Sequence, residues 1–238
     1  MTLFRTLLLG ALSAFFAAQV TAAPVNVISA GSLTGTQVAT FDDVAVGNFD
    51  GIFASGGVGF AERFSGQSLS TSGNFDILSG SPLPGLSLQV GAANQNLSTF
   101  LYGGSNVLTG LGIVGYPDLD SIGEGAFAAL FSTDQSQFGF DLVGGNRGSA
   151  TVDFFRRDGS LIQSIVLSGL SSQSYAFARE AGVFDIAGIS IYNSDLGGIG
   201  FDNLRFDVAS TGTPVPEPES LALIALALAS MSLVRRRK

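Results

Sequence analysis

Thr151-Val152-Asp153-Phe154-Phe155-Arg156-Arg157-Asp158-Gly159-Ser160-Leu161-Ile162-Gln163-Ser164-Ile165-Val166-Leu167 holds two alternating apolar runs on either side of Asp158-Gly159. Alternation at period two reads as a half-buried strand, and Asp-Gly between two such runs is a strong short-range signal for a hairpin. Working outward, Val38 to Val46, Val58 to Phe64, Phe138 to Val143, Phe184 to Tyr192 and Ile199 to Val208 read as further strands, separated by glycine and serine clusters. Ser65 to Ser81 and Gly103 to Gly115 are Gly/Ser-rich and read as long loops or loosely paired edge strands. No segment between residues 23 and 210 carries a sustained apolar period of 3.6. Many short strands with turn signals predict an all-β sandwich or jelly roll.

Phe-Asp recurs at Phe41-Asp42, Phe49-Asp50, Phe75-Asp76, Phe140-Asp141, Phe184-Asp185, Phe201-Asp202 and Phe206-Asp207. The spacing is irregular, so this is no solenoid repeat. Alternation explains it: Phe faces the core and Asp faces water. With no Trp and 20 Phe, phenylalanine supplies much of the core bulk.

Composition removes whole classes of chemistry. The chain has no Cys and no His. Disulfides, thiol nucleophiles, thiolate or imidazole metal sites and Ser-His-Asp catalysis are therefore excluded. Its single Lys is the terminal Lys238, so the middle offers no Schiff-base lysine. The formal net charge is −8, and the cations of the middle are Arg63, Arg147, Arg156, Arg157, Arg179 and Arg205. This disfavours nucleic acid as a partner and favours hard divalent cations.

Both ends are apolar. Met1 to Ala22 reads as a secretory signal peptide, with Arg5 ahead of an apolar core and small residues at the Val20-Thr21-Ala22 end. An uncleaved anchor helix is the alternative. At the other end, the prolines of Pro214-Val215-Pro216-Glu217-Pro218 hold an extended block. Leu221 to Val234 is an apolar run of about 14 residues, which at ~1.5 Å each spans roughly 21 Å. That is short of the ~30 Å hydrocarbon core. Arg235-Arg236-Arg237-Lys238 can snorkel and lengthen the span, and acts as a basic stop on the cytoplasmic side. A membrane helix at 221–234 is the expectation, with a buried terminal helix as the alternative. The domain reading is a signal peptide at 1–22, a β-sandwich ectodomain at 23–210 and a C-terminal signal at 211–238.

Val215-Pro216-Glu217-Pro218, the apolar run that follows and the closing arginines resemble the PEP-CTERM sorting signal of exported bacterial proteins. That resemblance implies recognition by an exosortase after export through the Sec translocase and trimming by signal peptidase. It also implies a transient inner-membrane anchor, then a place on the cell surface or in the extracellular matrix of a Gram-negative host that makes extracellular polysaccharide. Gly125 to Phe131, Phe138 to Asp141, Asp158 to Ser160 and Gly200 to Leu204 are similar to the β-sandwich ectodomains of that group. More loosely, they resemble jelly-roll carbohydrate-binding modules.

Four candidate chemistries follow. Asp42 and Asp43 fall in the expected first strand, and Asp202 and Asn203 in the last. Those strands are often neighbours in a jelly roll, and the resemblance to carbohydrate-binding modules implies a structural Ca2+ there. Asp118 and Asp120 open a loop with Gly123 at its sixth position, like an EF-hand, but Ile122 and Ala129 stand where oxygen ligands belong. A looser calcium loop or a plain acidic turn remains. Sugar binding on aromatic faces would fall to Tyr102, Tyr116, Tyr175 or Tyr192, with Tyr116 favoured for its place beside the acidic loop. A glycanase needs only two carboxylates, and Glu62, Glu124 and Glu180 are the glutamates available. Asn146-Arg147-Gly148 reads as a turn, and Arg156-Arg157 as partners for surface acids. The leading reading is an exported surface or matrix protein with a structural or adhesive, non-catalytic role. A calcium-assisted carbohydrate-binding module and a carboxylate glycanase are the alternatives.

Overall fold

The computed structural model describes residues 23–206, and these form a β-sandwich. The readings on the signal peptide, residues 207 and 208, the sorting motif and the 221–234 helix lie outside the described residues. The strands, in chain order, are β1 (Val25–Ile28), β2 (Gln37–Ala39), β3 (Gly47–Phe49), β4 (Phe53–Ser55), β5 (Val58–Ala61), β6 (Arg63–Phe64), β7 (Ser68–Ser72), β8 (Phe75–Ser79), β9 (Leu88–Gln89) and β10 (Leu97–Tyr102). They continue with β11 (Ser105–Leu111), β12 (Ile122–Gly125), β13 (Phe127–Gln135), β14 (Gln137–Gly144), β15 (Ser149–Phe155), β16 (Leu161–Ser168), β17 (Gln173–Arg179), β18 (Ile186–Asn193) and β19 (Ile199–Phe206).

A nine-stranded sheet runs β1-β17-β14-β19-β11-β10-β3, with β12 beside β11 and β2 beside β19. It faces a six-stranded sheet, β16-β15-β18-β13-β5-β4. Two small ribbons, β6-β9 and β7-β8, complete the described strands. Every strand pairing among the described residues is antiparallel, the arrangement that lets one sheet face be buried and the other wet.

The hairpin around Asp158-Gly159 forms as the pattern predicts: β15 pairs β16 antiparallel, with Val152 opposite Ile165. Its loop is longer than two residues. Gly159 N–H donates to Arg156 O and Arg156 N–H to Ser160 O, both at 2.9 Å. Gly159 takes φ 85°, the left-handed position that closes a turn of this kind and that a Cβ would strain.

The core is a lattice of phenylalanines contributed by both sheets. Phe138 on the nine-stranded sheet lies 5.9 Å from Phe131 and 6.5 Å from Phe154 of the facing sheet, with edge-on ring geometry in both pairs. It also stacks on Phe177 at 6.0 Å. A second, smaller cluster sits on the outer face of the six-stranded sheet, where Phe64, Leu86 and Phe155 cover Ala128 and Ala187. The six-stranded sheet is thus partly covered on both sides.

Two expectations are corrected, and for Ser65 to Ser81 the strand alternative holds. Val38 to Val46 is no single strand: β2 ends at Ala39, Phe41 adopts φ 61°, and the chain turns before β3. Asp42 and Asp43 therefore lie in a turn, and the first strand is β1. Gly103 to Gly115 is mostly strand, because β11 is buried along nearly its whole length and its small residues let neighbouring backbones approach. Ser65 to Ser81 contains the hairpin β7-β8, in register from Ser68 with Ser79 to Ser72 with Phe75.

Candidate functional site

Antiparallel pairing decides which residues share the outer face of the nine-stranded sheet. Phe100 pairs Val107 and Tyr102 pairs Ser105 across β10 and β11. Leu108 pairs Phe201 with both in the core, so the residues beside them, Val107, Thr109, Gly200 and Asp202, point the other way. Gly200 pairs Val143, and Asp202 pairs Asp141. The outer face therefore carries two aromatic rings, a row of small residues and a pair of carboxylates.

Between these lies a cavity of about 200 Å³ lined by Phe100, Tyr102, Thr109, Val143 and the Gly197–Gly200 segment. Gly200 forms its floor for a steric reason. A Cβ there would meet Val107 Cγ1 at 2.5 Å and Phe100 Cζ at 3.6 Å. Tyr102 is 58% exposed, and its ring meets Phe100 edge-on at 6.5 Å. The cavity is smaller than the ~300–1,000 Å³ of pockets for drug-sized ligands. It accepts a single ring, or one unit of a chain lying across the sheet.

The carboxylates adjoin this groove through Ser105, the cross-strand neighbour of Tyr102. The Ser105 hydroxyl donates to Asp42 Oδ1 at 3.5 Å and also engages Asp202. Asp42 Oδ1 further accepts from Asn106 N–H at 2.9 Å, and Asp202 Oδ1 from Asn203 N–H at 2.6 Å. Burial lifts the Asp202 carboxyl above its ordinary range. The Asn203 N–H and the Ser105 hydroxyl oppose that rise, while the charges of Asp42 and Asp141 add to it. Asp141 is itself held by Arg205 at 3.0 Å, by the Asn203 amide at 2.9 Å and by the Ser174 hydroxyl. β2 pairs β19, and the turn that follows β2 brings Asp42 beside Asp202. Of the four residues proposed there, Asp42, Asp202 and Asn203 come together.

Asp43 turns away: its Oδ1 accepts from the Ser55 hydroxyl and its Oδ2 from Gly56 N–H at 3.2 Å. Asp118 and Asp120 lie in another loop, where Asp118 Oδ1 accepts the Asp120 N–H at 3.0 Å and caps a turn of 3-10 helix. Tyr116 is 41% exposed in that loop, and its N–H donates to Asn94 O at 2.8 Å. Among the described residues, no three carboxylates are grouped to hold a metal ion. No described helix is long and apolar enough to cross a membrane.

The glutamates considered for hydrolysis are dispersed. Glu62 is 1% exposed and paired with the guanidinium of Arg63, closed off from any substrate. Glu124 sits in β12, its carboxyl raised first by burial and then by Asp120, with Asn74 opposing. Glu180 is exposed in the turn after β17. Arg156 pairs Asp185 at 3.0 Å and Arg157 pairs Asp134 at 2.6 Å, as expected of the residues flanking the hairpin turn.

Phe100 and Thr109 are not among the sequence candidates, and Tyr102 is one of the four tyrosines that are. The readable signal was Phe100-Leu101-Tyr102 ahead of Gly103-Gly104: two rings at period two, on one face, just before a turn.

Comparison with known proteins gives the class first. Residues 214–238 match the PEP-CTERM protein-sorting motif. The chain is an exported protein with a C-terminal sorting signal, of the kind targeted to an exosortase. No curated protein matches the sequence. Among solved structures, a carbohydrate-binding module specific for non-crystalline cellulose aligns at 14% identity and TM-score 0.29, over 47% of this chain and 80% of its own. A module from Clostridium stercorarium in complex with cellobiose aligns at 12% identity and TM-score 0.27, over 61% of this chain and 96% of its own.

Proposed function

We propose that this protein is an exosortase-processed component of the cell surface or extracellular matrix, with a non-catalytic, adhesive sandwich that holds extracellular polysaccharide. One observation carries the reading: the glycine-floored groove walled by Phe100 and the exposed Tyr102, whose cross-strand neighbour Ser105 donates to the Asp42 carboxylate. A sugar ring offers an apolar face and a rim of hydroxyls. An aromatic ring suits the face, and Asp42 suits the rim as an acceptor. The acidity of the groove's end favours neutral glycans over uronate-rich ones, because like charges brought together are penalised.

The same reading gives calcium a supporting role at Asp42 and Asp202 alone, where a cation would offset the repulsion between the two carboxylates. A chelator then lowers the melting midpoint, and an unchanged midpoint removes calcium from the account. The binding itself is tested by affinity electrophoresis of the mature protein through gels cast with neutral and acidic polysaccharides. Retardation by a neutral glycan, abolished by Tyr102→Ala, supports the reading. Equal mobility in every gel ends it.

A further inference from the structure

The six-stranded sheet ends on β16, whose outer edge has no strand partner among the described residues. The other edge strands of the two large sheets are short: β2, β3 and β4 have three residues each, and β1 and β12 have four. β16 has eight, and none of them is Asp, Glu, Lys, Arg or Pro. Its one irregularity is a bulge at its start, between the pairs Phe154–Gln163 and Phe155–Leu161, which leaves Gln163 to Ser168 in unbroken register. Ser164, Val166 and Ser168 are exposed, Val166 at 63%. Gln163 points inward, and its Oε1 accepts the Val25 N–H at 2.7 Å.

Sheet proteins ordinarily blunt such an edge with charge, proline or a covering segment, because its free N–H and C=O groups template another strand. We propose that β16 pairs antiparallel with β16 of a second copy of this chain, about a two-fold axis through Ile165. The occupant follows from the edge itself, which carries no charge that a different, charged partner could complement and which matches its own copy. The chain is strongly acidic, at −8, so two copies repel wherever acids meet. β16 lets them approach along a strand that carries no charge. The nearest acid, Asp153 on β15, is occupied by the Ser164 hydroxyl. Centring on Ile165 sets Ser164 opposite Val166 and Gln163 opposite Leu167, so every side chain stays on its own face of the joined sheet. The contact is self-complementary and closes at two copies, joining six strands to six.

The absence of native cysteine makes this directly testable. In the full chain, Ser164→Cys/Val166→Cys introduces the only thiols and places each opposite its counterpart in the other copy. Mild oxidation is expected to give a covalent dimer on a non-reducing gel. Leu196→Cys, in a loop and 82% exposed, is expected to give none. Ser164→Lys/Val166→Lys sets like charges across the axis and should weaken the dimer about tenfold or more by light scattering. Ser164→Lys/Val166→Glu sets opposite charges there and should restore it. Cross-linking no stronger than that of Leu196→Cys overturns the proposal, as does equal association of the two charged variants.

Discussion

Phe138 and Phe100 are the same residue in the same sheet, and each meets another ring near 6 Å, yet they serve different ends. Phe138 is fully buried between the sheets, with Phe131, Phe140, Phe154 and Phe177 around it. Phe100 is only partly buried and leans over Gly200 into an open groove beside the exposed Tyr102. Ring geometry alone does not separate a core aromatic from a binding one. What separates them is whether the second side of the ring is closed by protein or left for a ligand.

The largest effect that would sharpen this contrast is Phe138→Ala. Removing a ring packed from all sides costs about 3–5 kcal/mol, read as a large fall in chemical-denaturation midpoint. Any loss of binding in that variant should track the loss of folded protein.

The carboxylates divide along the same line. Asp76, 2% exposed, is pushed up to about 6 by burial, against the opposing pull of the Ala126 N–H and the Arg63 charge. Asp42, by contrast, lies exposed at the groove's end. A folded-state pKa above the ordinary 3.8 means that the folded chain binds the proton more tightly than the unfolded one. That stability is full below about pH 4 and is lost as pH rises through about 6; the shift corresponds to about 3 kcal/mol at most. Burial raises Glu124, Asp153 and Asp202 in the same direction. The melting midpoint should therefore be higher at pH 5 than at pH 7.5, and Asp76→Asn should flatten that difference. A midpoint that rises toward pH 7.5 would contradict this account of the buried acids.

Gly200→Val comes next. Its side chain collides with Val107 and fills the groove, at about 1–3 kcal/mol of overpacking, so stability falls moderately while binding vanishes. The smallest effect on stability is expected for Tyr102→Ala: within about 0.5 kcal/mol by denaturation, because the ring touches little protein.

The hairpin at Asp158-Gly159 was legible because alternation and turn chemistry agree over one short stretch. The Phe-Asp pattern was only partly so. Phe41-Asp42 places Phe in the core and Asp in the open through a turn at Phe41, whereas Asp141 points outward from Phe140 within β14 as alternation requires. Phe75-Asp76 breaks the rule because both side chains of β8 are covered. Phe184-Asp185 inverts it: Phe184 is 40% exposed, while Asp185 pairs with the buried Arg179. The groove was largely hidden in the sequence. β11 shows no alternation, since it is buried on both faces, and its Ser, Thr and Gly content imitates a loop. Asp42 met Asp202 by a chance of turn geometry at Phe41 that no strand pattern encodes.

The most direct test of the central claim is a calorimetric titration of the mature protein with neutral extracellular polysaccharide, run beside Tyr102→Ala at matched melting midpoints. The account predicts heat of binding for the native protein and at least about tenfold weaker binding for the variant. Indistinguishable isotherms, or no heat from either protein, would contradict it.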